Sequence, residues 1–271
     1  MSKSQLLSQE EFDRYVFSPR TLHYIEEFRR RNGLQKKELN ILDWGCGRGR
    51  DVIWLKDHGY NAFGVEVDST PIRNGLALLQ EKGYDFRSLQ LLDDGVKTSF
   101  PEGYFHIIFS GQVLEHVAVL GAVASEMARI TRIGGIGFHT YPGRRHVREA
   151  HLKMPCVHWL PKNRLREFLI AIYLMFGVDP RWPRLTDLSL SDRAAEYAGY
   201  SCSKTFYRTL RETEGCFRAK GFSVSFETVN DPRVARHLGL LTRNGIMKAL
   251  VNRVLSTFTK VELLLVRQGA A

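Results

Sequence analysis

At 271 residues, 44% hydrophobic and 11% aromatic, the chain can bury a full core, and its length suits one enlarged domain carrying an insertion. Its four cysteines, Cys46, Cys156, Cys202 and Cys216, form no Cys-x-x-Cys pair, which argues against a zinc knuckle or a disulfide framework. Lysine plus arginine outnumber the acids 39 to 29, a formal charge of +10 that would draw the chain toward nucleic acid, anionic lipid or a phosphorylated substrate, or simply give a basic, soluble surface. No stretch reaches the roughly 18 to 20 apolar residues that span a bilayer, and "MSKSQLLSQEEFDRY" lacks the apolar core of a secretory signal, so a cytoplasmic location is expected.

In chain order, residues 1–38 read as one or two helices, with "EEFDRYVF" and "TLHYIEEFRRRNG" as the pieces. From residue 39, short apolar runs alternate with helical periodicity, the pattern of a parallel sheet flanked by helices. The strands expected are 39–44, 61–66, 87–92, 104–109 and 135–141. Between them, helices are expected near 50–58, 70–82 and 112–131, the last stopped by "IGG". The fold class expected is α/β, a Rossmann-like doubly wound seven-stranded sheet with helices on both faces and a helical lid insertion after the fifth strand. After Pro142 the rhythm breaks, so the organisation reads as an N-terminal segment 1–38, a core 39–141, a lid or acceptor-binding insertion 142–205 and a C-terminal part of the core 206–271. Strand-like runs resume at "FSVSFETV", followed by a helical stretch at 233–256 and a last apolar run at 261–267.

The stretch "ILDWGCGRGRDV" ends a strand in alternating glycines and runs into a helix. Such a turn lets backbone N–H groups approach a ligand closely, since no Cβ intervenes and positive φ costs little. Seventeen positions beyond Gly49, Glu66 ends the second strand, where a carboxylate accepts from both hydroxyls of a ribose. Dinucleotide oxidoreductases share that logic but space their glycines Gly-x-Gly-x-x-Gly over a diphosphate. Here Asp43 precedes the alternating Gly45, Gly47 and Gly49, and an acid there suits a cationic ligand.

Together, "ILDWGCGRGRDVIWL", "GVEVD", "LLDDGVKTSFPEGYFHIIFSGQVLEHV" and "ARITRIGGIGFHTYP" resemble the successive motifs of class I S-adenosylmethionine (SAM)-dependent methyltransferases, and most closely the methyltransferase type 11 group, over residues 38–142. The resemblance implies SAM as cofactor, with Asp43, Gly45, Cys46, Gly47 and Gly49 in the methionine-side cradle and Glu66 on the ribose. Val67 and Asp68 would border the adenine, whose amino group would meet Asp93 or Asp94. Ser110 and Gln112 would stand beside the methionine moiety. Glu115 and His116 fall in the following "LEH", where helix capping competes with chemistry as their purpose.

Methyl transfer from a sulfonium needs chiefly alignment, with a general base only for a weak nucleophile. The candidates are His116, Tyr141, His151 and His158, with His139 more at home as a packed core histidine in mid-strand. The segment "REAHLKMPCVHWLPKNRLREFL" places His151 and His158 in the insertion, where this fold builds acceptor specificity, and loosely resembles a segment of bacterial methyltransferases tied to glycan machinery. No metal is expected, because no acid or thiol has matching spacing to those two histidines. "LREFLIAIYLMFGV", bracketed by basic residues, suits either a buried helix or an anionic membrane surface.

The leading expectation is therefore an enzyme, a methyltransferase that moves a methyl group to an oxygen of a small-molecule or glycan-like, anionic acceptor. An RNA methyltransferase competes with it on charge alone. Against nucleic acid stand the lack of an appended RNA-binding module and the "SGQVLEH" found where an Asn-Pro-Pro-Tyr or Cys-based signature would lie. A non-catalytic SAM-binding scaffold is the alternative outside enzymes.

Overall fold

The computed structural model describes residues 14–238 and 244–269. Seven strands form one sheet: β1 (Asn40–Trp44), β2 (Asn61–Glu66), β3 (Leu89–Leu91), β4 (Phe105–Gly111), β5 (Thr131–Pro142), β6 (Phe222–Phe226) and β7 (Lys260–Arg267). Their order is β3-β2-β1-β4-β5-β7-β6, and only β7 runs antiparallel to its neighbours. Strand order reverses between β1 and β4, so the loops leaving their carboxyl ends diverge and open a crevice there.

Both faces of the sheet are covered, which is why the central strands read as continuous apolar runs. Ile41 and Ile107 face a core built with α1 (Pro19–Arg31), α2 (Arg50–Asp57) and α3 (Ser69–Glu81), through Ile25, Phe28, Val52, Ile53, Ile72 and Leu79. Leu42 and Ile108, one residue on, face the opposite core with α4 (Leu120–Ile130) and α7 (Leu210–Arg218), through Val123, Met127 and Phe217.

The chain between β5 and α7 carries α5 (Arg164–Met175) and α6 (Leu190–Ser203), begun by the side-chain caps Asn163 and Ser189. These helices enclose their own apolar cluster, with Leu152, Met154, Val157, Ile170, Leu174, Leu185 and Tyr197 buried. In α5, Ile170 and Leu174 point inward while Leu165, Phe168 and Met175 remain exposed, so the apolar run is half core and half surface.

Several expectations change. Of "EEFDRYVF", residues 10–13 lie outside the described residues and 14–18 are turn and coil, with Phe17 stacked on Trp54 at 4.8 Å. The single helix expected at 112–131 is broken, because α4 starts only at Leu120 and 114–116 form one 3-10 turn. The cause is distant: Arg208 donates to the carbonyls of Leu114, Val117 and Ala118, which a helix would have used internally. "IGG" does not stop a helix. It lies inside β5, where Gly134 takes φ 79° beside a register shift opposite Phe105–Ile107. The stretch 233–256 divides into α8 (Pro232–Leu238) and α9 (Gly245–Phe258), with 239–243 outside the described residues.

Leu263 sits fully buried on β7 between His139 and Phe226. Leu263→Ala leaves a cavity on the α4–α7 face and should lower stability by about 2–5 kcal/mol. Urea unfolding checks this, with the midpoint falling and the slope unchanged.

Candidate functional site

The turn after β1 folds back on β2, with the N–H groups of Gly45 and Cys46 both donating to the carbonyl of Val65, at 2.8 and 2.9 Å. All three glycines take positive φ, 82° at Gly45, 54° at Gly47 and 69° at Gly49. Their reasons differ. A Cβ at Gly45 would lie 2.5 Å from Val113, and one at Gly49 would lie 2.8 Å from Leu89, so these two allow close packing. A Cβ at Gly47 would meet no atom within 4 Å, leaving space for a ligand to reach the backbone. The N–H of Gly47 donates to Glu66 Oε2 at 2.8 Å, while those of Val67 and Asp68 donate to Oε1 at 2.7 and 3.0 Å. The Glu66 carboxylate is thus fixed in direction by three amides.

Beneath this turn lies a buried carboxyl. Asp43 is only 4% exposed and has no ion-pair partner among the described residues. Burial first, then the charges of Asp51 and Glu66, hold its carboxyl well above the usual carboxylate range. Burial also raises Asp51, which accepts a hydrogen bond from the Tyr15 hydroxyl.

A single cavity of about 1660 Å³ opens at the switch point. It is lined by Gly45, Glu66, Val67, Asp68, Asp94 and Gln112 from the core, by His116 from the loop after β4, and by His151, Trp182, Arg184, Tyr200 and Lys204 from the insertion. Gln112 takes φ 59°, a left-handed geometry that costs a non-glycine residue roughly 1–3 kcal/mol, and its N–H donates to the Thr140 carbonyl at 2.7 Å.

Other candidates lie elsewhere. Asp43, Gly47 and Gly49 belong to the turn but are not among the residues that line this cavity. Cys46 packs its side chain against Gly64, where a Cβ would come within 2.7 Å of it, so it fills space. Asp93 is exposed outside the cavity, whereas Asp94 lines it and accepts from the N–H groups of Val96 and Lys97 at 2.9 and 2.8 Å. Ser110 is buried, its hydroxyl 2.8 Å from His139 Nδ1, and cannot border a ligand. His139 is a core histidine, as expected, with burial pushing it down to about 3. Tyr141 is also enclosed by the core, and burial raises its phenol. The expectation that His158 joins His151 fails. His158 lines a separate cavity of about 350 Å³ with Arg144, Lys162, Arg166 and Arg208, and burial pushes it down to about 4.

What the fold does assemble is Glu115, His116 and His151. Glu115 is 1% exposed, neither carboxylate oxygen has a partner among the described residues, and burial pushes it up to about 8. His116 Nδ1 lies 2.7 Å from the carbonyl of Lys204, so this nitrogen carries the proton and Nε2 keeps a lone pair. The rings of His116 and His151 are 4.8 Å apart, and Tyr200 lies 5.5 Å beyond, edge-on to His151. The backbone N–H of His151 donates to the buried Glu149 at 2.6 Å. Trp182, Tyr200 and Lys204 carry no local motif and were not singled out by the sequence.

Comparison with known proteins follows this geometry. A family model described as a methyltransferase domain matches residues 42–138. An uncharacterized methyltransferase of Mycolicibacterium vanbaalenii is 30% identical over 196 residues, 66% of this chain and 74% of that protein. The 2-methyl-6-phytyl-1,4-hydroquinone methyltransferase of Synechocystis is 30% identical over 97 residues, 35% of this chain but only 30% of that protein, so the chain spans less than a third of that relative. An S-adenosylmethionine-dependent methyltransferase from Mesorhizobium loti shares the fold, with a TM-score of 0.50 at 15% identity over 84% of this chain and 91% of that one. With the glycine turn, the β2 carboxylate and the β3-β2-β1-β4-β5-β7-β6 sheet all in place, the chain belongs to the class I SAM-dependent methyltransferases.

Proposed function

We propose that this protein moves a methyl group from SAM to an oxygen of a small-molecule or glycan-like, anionic acceptor. The observation that carries the reading is the division of charge within one cavity. Glu66, Asp68 and Asp94 line one end, while Lys153, Arg184 and Lys204 line the other beside His116 and His151. A pocket for one drug-sized ligand is about 300–1,000 Å³. The cavity, at about 1660 Å³, exceeds that and has room for two ligands side by side.

At the acidic end, Glu66 is aimed to accept from a ribose, and Val67 and Asp94 flank the place of the base. The open space over Gly47 and the buried charge of Asp43 fit the cationic amino-acid portion. When bound, SAM supplies an electrophilic methyl on a leaving group that departs neutral. The chain's own task is alignment, which is worth roughly 7–11 kcal/mol when two reactants are held in line. Gln112 and Val113 stand at the midpoint, His116 and His151 face the acceptor's oxygen, and Trp182 with Tyr200 shields that end from water. The relative from Synechocystis is named for a hydroquinone, a small molecule with reactive oxygens. The exposed Phe168 and Met175 of α5 and Ile246, Leu250 and Val254 of α9 suit a contact with an anionic membrane surface, although no described helix is long and apolar enough to cross a membrane.

Incubating the protein with labelled SAM and a cell extract should place label in small anionic products. Label confined to RNA or protein, or no transfer at all, would contradict the reading. Glu66→Ala removes the ribose acceptor and should weaken SAM by about 1.5–3 kcal/mol in calorimetric titration.

Asp43 allows a separate check. Its carboxyl is raised in the ligand-free fold, so stability is fully present below the ordinary carboxylate range and is lost as pH rises toward the raised value. SAM binding should run the opposite way and tighten as Asp43 ionises. Asp43→Asn should therefore stabilise the ligand-free protein at neutral pH by about 1 kcal/mol while weakening SAM and flattening its pH dependence. Thermal melts and titrations at several pH values read both effects.

A further inference from the structure

The expectation of no metal rested on the spacing of His151 and His158, which supplies no acid. The fold separates those two histidines and brings Glu115 and His116 to His151 instead. One ligand atom from each of these three residues lies within 4.8 Å of the other two. Around a tetrahedral ion bound at about 2.0–2.1 Å, ligand atoms sit roughly 3.4 Å apart. Closing the triad onto an ion therefore calls for the ligand atoms to approach one another by at most about 1.4 Å.

Three further observations point to the same spot. Glu115 is almost wholly buried with both carboxylate oxygens unpartnered among the described residues, and Nε2 of His151 is likewise buried and unpartnered. A buried carboxyl without hydrogen-bond partners is unfavourable until a ligand completes it. His116 gives its Nδ1 proton to the Lys204 carbonyl, the outer hydrogen bond that metal-binding histidines use to fix the ring and leave the other nitrogen free. Behind His151, the fully buried Glu149 holds the backbone N–H groups of His151 and Leu152 and so anchors the loop that presents the ring.

We propose that Glu115, His116 and His151 bind a first-row divalent transition metal ion in the wall of the large cavity. Two imidazoles and one carboxylate make a nitrogen-rich set that suits zinc, iron or cobalt better than magnesium or calcium. The ligands come from one side, since His116 and His151 line the cavity, and the remaining coordination positions face the acceptor. There the ion holds an acceptor hydroxyl and lowers its pKa, so that the proton passes to water. The oxygen then takes the methyl carbon while the sulfur–carbon electron pair stays on sulfur. This use of the ion rests on the methyl-transfer reading, whereas the existence of the site does not.

The test titrates the full chain, stripped of metal by a chelator, with Co²⁺ and with Zn²⁺. One equivalent of Co²⁺ should bind and give visible d–d absorption, which one equivalent of Zn²⁺ displaces. Glu115→Gln, which keeps the shape, and His151→Ala should each lose that absorption and weaken Zn²⁺ by at least roughly tenfold, the loss that even an outer-shell change brings. Both variants should still bind SAM, which shows that they fold and separates this result from failure of the cofactor assignment. Absorption no stronger than that of free Co²⁺, or stoichiometric binding that survives both substitutions, overturns the proposal and leaves a metal-free hydrogen-bonding cluster.

Discussion

The site depends on a cluster of carboxylates that the fold brings together with Arg50 beside Asp51 but with no ion pair to Asp43 among the described residues. Asp43 at the end of β1 is held above the usual carboxylate range by burial and by the charges of Asp51, in the first turn of α2, and Glu66, at the end of β2, while burial raises Asp51. Burying such charge costs free energy unless hydrogen bonds or an opposite charge offset it. Backbone amides do so for Glu66 and the Tyr15 hydroxyl for Asp51, whose place at the start of α2 also favours an anion. Asp43 has no such partner and is held toward its protonated form. The arrangement requires β1 and β2 to run in close register, with Asp43 beside Gly64. Without a side chain at Gly64, Cys46 can nest there and the turn can swing Gly47 toward Glu66.

This geometry explains what was legible in the sequence and what was not. The parallel strands could be read because burial on both faces leaves unbroken apolar runs, and Gly45, Gly47 and Glu66 could be read because the turn and the strand end that it approaches fix their spacing. Orientation was not legible at that level. Ser110 and Tyr141 lie at strand ends near the crevice, yet the pleat turns both into the core, where Ser110 meets His139. The helix at 112–131 has suitable periodicity, and what breaks it is an arginine more than 90 positions away for Leu114 and Val117, about which local sequence says nothing. Tyr200, Trp182 and Lys204 reach the cavity only because the insertion packs around Tyr197 and Leu185, a contact that no spacing rule anticipates.

That separate packing also bears on how acceptor recognition is organised. The acidic end of the cavity belongs to strands and turns of the main sheet, whereas most of the basic end belongs to helices with a core of their own. Changes in α6 or in the loop around Trp182 can reshape the acceptor end while the sheet and its carboxylates stay as they are. The two ends meet at Gln112 and Val113, in the strained segment after β4, and Val113 already touches the turn where a Cβ at Gly45 would sit.

Part of the positive charge is placed where the insertion is tied to the sheet. Lys162 donates to the carbonyls of Cys202 and Thr205, both at 2.6 Å, and Arg166 to those of Ser201, His158 and Leu160. Arg208 donates to four loop carbonyls, those of Leu114, Phe206, Val117 and Ala118, rather than to any carboxylate. Carbonyls satisfy the donors but do not cancel the charge, so burial together with the neighbouring cations Arg166 and Arg208 holds Lys162 below its usual range. A brace made with carboxylates would have been neutral. The one observed leaves a positive potential beside Phe206, which lines both this cluster and the large cavity, and that field is what the proposed anionic acceptor would meet.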